Sequence, residues 1–160
     1  MIDANIQETQ LTPAAYILAI ACLLAWREES SNGVAGMVGV LHNVRNRAKA
    51  GWHGGSILAN IVARNQFSSM TVPGDGQLTK WADPSDNGYG PGFQKLLSMA
   101  PAILSGAMDD QDPTCGALYY ADLTSPGFQK DGWFARVILA NSDKFPCVAK
   151  IGSTSYYTEK

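Results

Sequence analysis

Two adjacent glutamates, Glu28 and Glu29, stand where an apolar run from Ala14 to Trp26 gives way to Ser30, Ser31, Asn32 and Gly33. Such a run predicts a core helix, whose end carries unpaired carbonyls and the negative pole of the helix dipole. A carboxylate there is disfavoured as an anion, and burial beside Trp26 and a following helix pushes the same way. A glutamate so placed keeps its proton near neutral pH. That is what a general acid needs when a glycosidic oxygen leaves and positive charge develops on the sugar ring. The same pair also fits a solvated, frayed helix end, and position alone leaves both readings open.

Other chemistries have less to draw on. The sequence holds no Gly-x-Ser-x-Gly elbow, no His-Glu-x-x-His and no phosphate-binding loop, and its two histidines, His42 and His53, leave little room for a Ser-His-Asp arrangement. Cys22, Cys115 and Cys147 form an odd set without Cys-x-x-Cys spacing, so neither a metal nor another cofactor is expected. Cys22 lies within the apolar run and reads as a small buried hydrophobe. Pairing of Cys115 with Cys147 in an oxidising compartment stays open. A formal net charge of −2 gives no general attraction to phosphate backbones, and Arg45, Arg47 and Lys49 amount to a local patch, so no nucleic-acid partner is expected.

The elements that must hold these residues follow from spacing. Thr12-Pro13 starts a helix that should run to Glu28 or Glu29. Val34, Met37, Val38, Leu41, Val44 and Ala48 recur at helical intervals toward a stop at Gly51. Gly33, Gly36 and Gly39 lie three apart, a spacing expected to let another helix approach. Ser56 caps a short helix to about Arg64, and Phe93 to Leu104 predict another that ends at Gly106 and bends at Pro101. Met70 to Gly92, rich in Gly, Pro and Asp, reads as a long loop of the kind that walls or covers a cleft. After Pro113 the texture changes: Ala117–Tyr120, Arg136–Leu139 and Ser155–Tyr157 predict short extended segments.

A chain of 160 residues with 46% hydrophobic and 16% charged residues suits one globular domain spanning 1–160. The expected class is α+β, mainly helical with a small β element in the C-terminal half. The apolar run is shorter than the roughly 20 residues that cross a bilayer, so no stable membrane insertion is expected. The first ten residues lack the positive start of a secretory signal, which predicts cytoplasmic synthesis without a signal peptide.

Taken together, these fragments resemble the cell wall hydrolase family of the spore-cortex-lytic enzymes. That family's Glu-Ala-Arg-Gly-Glu motif, following glycine and helix-closing Asn-Arg match Glu28, Gly36 and Asn46-Arg47 without a gap. Its Gln-Phe-Ser is similar to Gln66-Phe67-Ser68. Its Asp-Pro-Thr-x-Gly-Ala-x-Tyr-Tyr is similar to Asp112 through Tyr120, and its terminal Ile-Gly motif to Ile151-Gly152 followed by Tyr156-Tyr157. The resemblance covers about Leu11 to Tyr157. It departs at three places, where the family's Arg, second Glu and terminal His stand as Ser30, Asn32 and Thr154.

The resemblance implies a lysozyme-like fold and cleavage of the β-1,4 bond between N-acetylmuramic acid and N-acetylglucosamine in peptidoglycan glycan strands. It implies lytic transglycosylase chemistry with Glu28 as the catalytic acid, Gln66, Phe67 and Ser68 lining the cleft, and Tyr119 and Tyr120 on the opposing wall. A rival register, borrowed from classical lytic transglycosylases, places the acid at Glu29-Ser30. Two alternatives remain. One is a water-using muramidase with a second carboxylate among Asp75, Asp83, Asp86, Asp122 and Asp131; the other is a glycan-binding or virion module without turnover. Trp52, Trp81 and Trp133 are able to stack on sugars, although no motif distinguishes them from packing residues. Action on the wall without a signal peptide implies delivery by a holin, a virion or a secretion machine.

Overall fold

The computed structural model describes residues 13–63, 66–67 and 91–160. The expected loop from Met70 to Gly92 and the Thr12 cap lie almost wholly outside that set. Within it the chain is mixed helix and sheet, mainly helical, with a small antiparallel sheet in the C-terminal half.

Helix α1 spans Pro13–Glu29, with proline at the first helical position, where a missing N–H leaves no bond unmade. Its character changes along its length. Residues 21–25 are all buried, whereas the preceding turns are partly exposed, so only the C-terminal half is a core helix. No helix among the described residues is long and apolar enough to cross a membrane.

A single 3-10 turn, Ser30–Asn32, joins α1 to α2, Gly33–Lys49. Gly33 has φ +65°, a conformation that favours glycine, and this lets α2 follow the glutamates with no loop between. Helix α2 is the central element. It packs on α1, on α3 (Ile57–Val62) and on α4 (Pro91–Ser105), and the shared core includes Leu24, Val40, Leu41, Val44, Ile61, Leu96 and Ile103. Ser56 caps α3 as expected, its hydroxyl accepting from the Ala59 amide at 3.2 Å, although α3 closes at Val62. Helix α4 contains Pro101 and stops before Gly106, which has φ +88°.

The sheet comprises β1 (Tyr119–Asp122), β2 (Cys147–Ile151) and β3 (Thr154–Tyr157), in the order β1-β3-β2 with both pairings antiparallel. Tyr120 faces Tyr156 and Asp122 faces Thr154 across β1 and β3. The strand expected at Arg136–Leu139 is instead a helical turn, α5 (Trp133–Val137), followed by a 3-10 turn at Leu139–Asn141. Packing overrides the β-branched pair Val137-Ile138: with a helical pitch, Phe134 and Ile138 share one face and meet Phe145 and Tyr157 in a second small core. Strand β2 carries no alternating apolar pattern, and the sequence gives little sign of it.

The glycines of α2 admit different neighbours from those expected. A Cβ on Gly36 would lie 2.6 Å from Asn32 Cβ and 2.9 Å from the Glu29 carbonyl oxygen. One on Gly39 would lie 2.5 Å from the Tyr156 hydroxyl and 2.8 Å from Ile151 Cδ1. Gly36 therefore makes room for the tight junction below the glutamates, and Gly39 admits the sheet rather than another helix. Because Tyr156 is fully buried, Gly39→Ala should destabilise the protein by about 1–3 kcal/mol, the usual cost of overpacking. Urea unfolding would measure it, and an unchanged midpoint would show that the sheet is not seated against α2 at this point.

Candidate active site

The site is assembled by the polar face of α2. Asn43, Asn46 and Arg47 follow the i, i+3, i+4 rule and point together at the loop between Asp112 and Leu118. Asn43 Nδ2 donates to the Ala117 carbonyl at 2.9 Å, Asn46 Nδ2 to Asp112 Oδ2 at 2.8 Å, and Arg47 Nε to the Leu118 carbonyl at 2.8 Å. Asp112 folds the loop upon itself. Its carboxylate accepts from the Thr114 amide at 2.8 Å, the Thr114 hydroxyl at 2.7 Å and the Gly116 amide at 2.9 Å. Burial works to raise the Asp112 carboxyl, but the bonds from Asn46, Thr114 and Gly116 outweigh it and hold it below the ordinary carboxylate value. Two carbonyls of the chain entering β1 are thus fixed, and Tyr119 and Tyr120 come next.

These tyrosines, with Arg47, Trp52, Gln66 and Trp133, line a pocket of about 380 Å³. Strand β1 is an edge strand, and its consecutive residues Tyr119 and Tyr120 both line the pocket. Tyr119 is held edge-on by Trp52 at 5.4 Å and by Phe145 at 5.5 Å, while Tyr120 lies against Tyr156 at 5.5 Å. Gln66, Tyr119 and Tyr120 therefore share one cavity. Phe67 does not: it is 2% exposed within the main core, and its ring lies 4.9 Å from the Arg47 guanidinium. It backs the wall, because an apolar ring gains more from the core than from a wet surface. Ser68 lies outside the described residues, as does Trp81.

Trp52, Trp133 and Arg47 carried no site assignment in the sequence, yet all three line the pocket. Trp133 is 56% exposed, a fact that only a structure supplies.

Glu28 is half-buried and lies one hydrogen bond behind the pocket wall: the Tyr120 hydroxyl donates to Glu28 Oε2 at 2.9 Å. Burial, reinforced by the charge of Glu28, pushes the Tyr120 phenol well above its ordinary value, so it remains a donor. The Arg47 guanidinium is lowered by burial, with Tyr120, Glu28 and Tyr119 pulling back, and stays charged at physiological pH.

Glu29 faces a different environment. It is 5% exposed. Its two carboxylate oxygens accept from Thr154 Oγ1 at 2.8 Å and from Asn32 Nδ2 at 2.5 Å, and Asn32 Nδ2 also reaches Thr154 Oγ1 at 3.3 Å. Burial raises the Glu29 carboxyl, the bonds from Asn32 and Thr154 oppose it, and the charges of Glu28 and Asp122 add to the rise. The adjacent Asp122 is held below the ordinary value by Thr124 and by Ser153, whose hydroxyl donates at 2.7 Å.

The cysteines are free: Cys22 is buried, and Cys115 and Cys147 are exposed. Among the described residues no group of His, Cys, Asp or Glu is arranged to hold a metal. No family model, curated protein or solved structure matches the chain.

Two outcomes follow from the carboxyl environments. The depressed Asp112 value adds stability above the unfolded value near 3.9, and this is lost as pH falls through the folded value. Melting temperature across pH 2–7 should therefore decline more steeply on the acid side in wild type than in Asp112→Asn, while Asp112→Ala should cost about 3 kcal/mol at pH 7 through lost charged hydrogen bonds. Glu29 carries the opposite sign. Its raised value makes its contribution fall as pH rises from about 4.3 to the folded value, so Glu29→Gln should gain on wild type between pH 4 and pH 8. A constant offset between the two melting curves would show that Glu29 titrates as it does in the unfolded chain.

Proposed function

We propose that the protein is a peptidoglycan-cleaving enzyme, a lytic transglycosylase of lysozyme-like architecture that resembles the spore-cortex-lytic cell wall hydrolases, with Glu28 as its acid and base. The observation that carries this reading is the Glu28 to Tyr120 hydrogen bond. It ties a half-buried carboxyl at a helix end to the wall of an aromatic pocket of sugar-ring size. Aromatic faces beside short polar groups suit the mixed surface of a glycan, and Tyr119, Tyr120, Trp52 and Trp133 with Gln66 supply both.

The choice between the glutamates follows from what each touches. Glu29 has both oxygens committed to Asn32 and Thr154, away from the pocket residues, and serves as an internal tie between the helix junction and β3. Glu28 meets the pocket through Tyr120. Two positions that depart from the family's motifs, Asn32 and Thr154, lie within hydrogen-bond distance of each other.

In the proposed reaction Glu28 gives its proton to the glycosidic oxygen as the bond to the muramic acid C1 breaks. The resulting carboxylate then takes the proton of the C6 hydroxyl as that oxygen attacks C1 and closes a 1,6-anhydro ring. The proton lost in the first step is restored in the second, and no water is consumed. One carboxyl serves both steps. The enzyme would act on the wall after delivery by a holin, a virion or a secretion machine.

Digestion of purified peptidoglycan, with muropeptides weighed by mass spectrometry, tests the reading. Wild type should release products lighter by one water than hydrolysed ones, and Glu28→Gln should lose at least about a thousandfold in rate with its melting temperature retained. Ordinary reducing ends would replace the transglycosylase by a muramidase. Full activity in Glu28→Gln beside a dead Glu29→Gln would overturn the assignment, and glycan binding by a folded, inactive wild type would leave a binding module.

A further inference from the structure

Arg47 has more donors than the protein uses. The residue is 6% exposed and lines the pocket. Its Nε–H is spent on the Leu118 carbonyl rather than on Glu28, and Nη1 is buried with no acceptor among the described residues. The Trp52 and Phe67 rings, 5.2 and 4.9 Å from the guanidinium carbon, attract the charge through their π faces but offer no lone pairs to its N–H groups. A charged donor left buried without a partner is costly, and such groups in folded proteins are ordinarily matched by an acceptor. The acceptor that fits a planar guanidinium fork is a carboxylate, bound through two parallel N–H···O bonds.

We propose that Arg47 is the receptor for a carboxylate carried by the muramic acid unit of the glycan, with the sugar resting against the tryptophan and tyrosine rings of the same pocket. This rests on the glycan reading given above. It adds a specificity: a strand of N-acetylglucosamine alone, which lacks that carboxylate, leaves Arg47 unmatched and binds more weakly. The anion has two chemical sources. In a strand stripped of peptide it is the lactyl carboxylate itself, and in a substituted strand it is a carboxylate of the peptide stem.

The test is calorimetric binding to Glu28→Gln protein, in which the ligand is not turned over. Five tetrasaccharides are compared: an alternating glucosamine–muramic acid strand free of peptide, the same strand with its lactyl carboxyls converted to methyl esters, a peptide-bearing strand, that strand with its stem carboxyls esterified, and chitotetraose. If the lactyl group is the source, the free acid should bind about ten- to a hundredfold more tightly than its ester or chitotetraose, the range of a charged hydrogen bond. If the stem is the source, the peptide-bearing strand should hold that advantage and lose it on esterification. Arg47→Met should close the gap between acid and ester in either case, whatever it does to overall affinity, and Arg47→Lys should restore part of it as a point charge.

Equal binding of acid and ester forms in the peptide-free and the peptide-bearing strand alike would overturn the proposal, and needs no Arg47 variant to be folded. A gap that persists in Arg47→Met would overturn it too. Failure of all five ligands to bind would sink the glycan reading along with it. Carboxylate-dependent binding without any cleavage by wild type would keep the receptor and remove the enzyme.

Discussion

The docking of α2's polar face onto the loop from Asp112 to Leu118 is the contact on which the site depends. An edge strand has no neighbour on one side to fix its position, so β1 must be anchored from elsewhere. Asn43, Asn46 and Arg47 do this by taking the carbonyls of Ala117 and Leu118 and the carboxylate of Asp112. These groups are largely buried, so each missing bond would leave a polar group without water or partner. The loop has in effect one register against the helix. Tyr119 and Tyr120 inherit it, and through Tyr120 so does the hydrogen bond to Glu28.

The glutamates show how two identical side chains in sequence are separated by their surroundings. Neighbours on a helix point about 100° apart, and here that rotation takes one carboxyl to the pocket side and the other to the turn between β2 and β3. At that turn Gly152 has φ +57° and lies against Asn32, leaving no space for a Cβ. The Ser153 amide donates to Asn32 Oδ1 at 3.4 Å. Asn32 thus bonds the helix junction, β3 and the turn at once, and Glu29 is held by partners from the first two.

Much of this was legible in the residues because local signals and packing agree. Pro13, Gly33, Ser56 and Gly106 mark helix boundaries for reasons that hold in any context, and the structure places boundaries at or within a residue of each. Val137-Ile138 misleads because β-branched residues prefer strands only weakly, and a shared helical face with Phe134 buries more apolar surface. Phe67 misleads for a related reason: the motif marks the neighbourhood of the pocket without saying which ring turns inward. The Thr154 partner of Glu29 was out of reach, since it is distant in the chain and only the folded hairpin brings it near. Arg47 was visible as the end of a helix motif, but nothing in its type or spacing tells a docking arginine from one that also faces a ligand.

The site's two charges bear on each other. Arg47 and Glu28 come from the last turns of successive helices, and the negative charge of Glu28 helps keep the buried guanidinium charged. A glycan carboxylate seated at Arg47 would occupy the positive field that Glu28 otherwise shares. Seated there, the sugar would rest against β1, whose register fixes Tyr120 and with it the hydrogen bond to Glu28. Holding one end of the ligand fixes where the other stands, so the guanidinium would act as a positioning group without touching the bond that breaks.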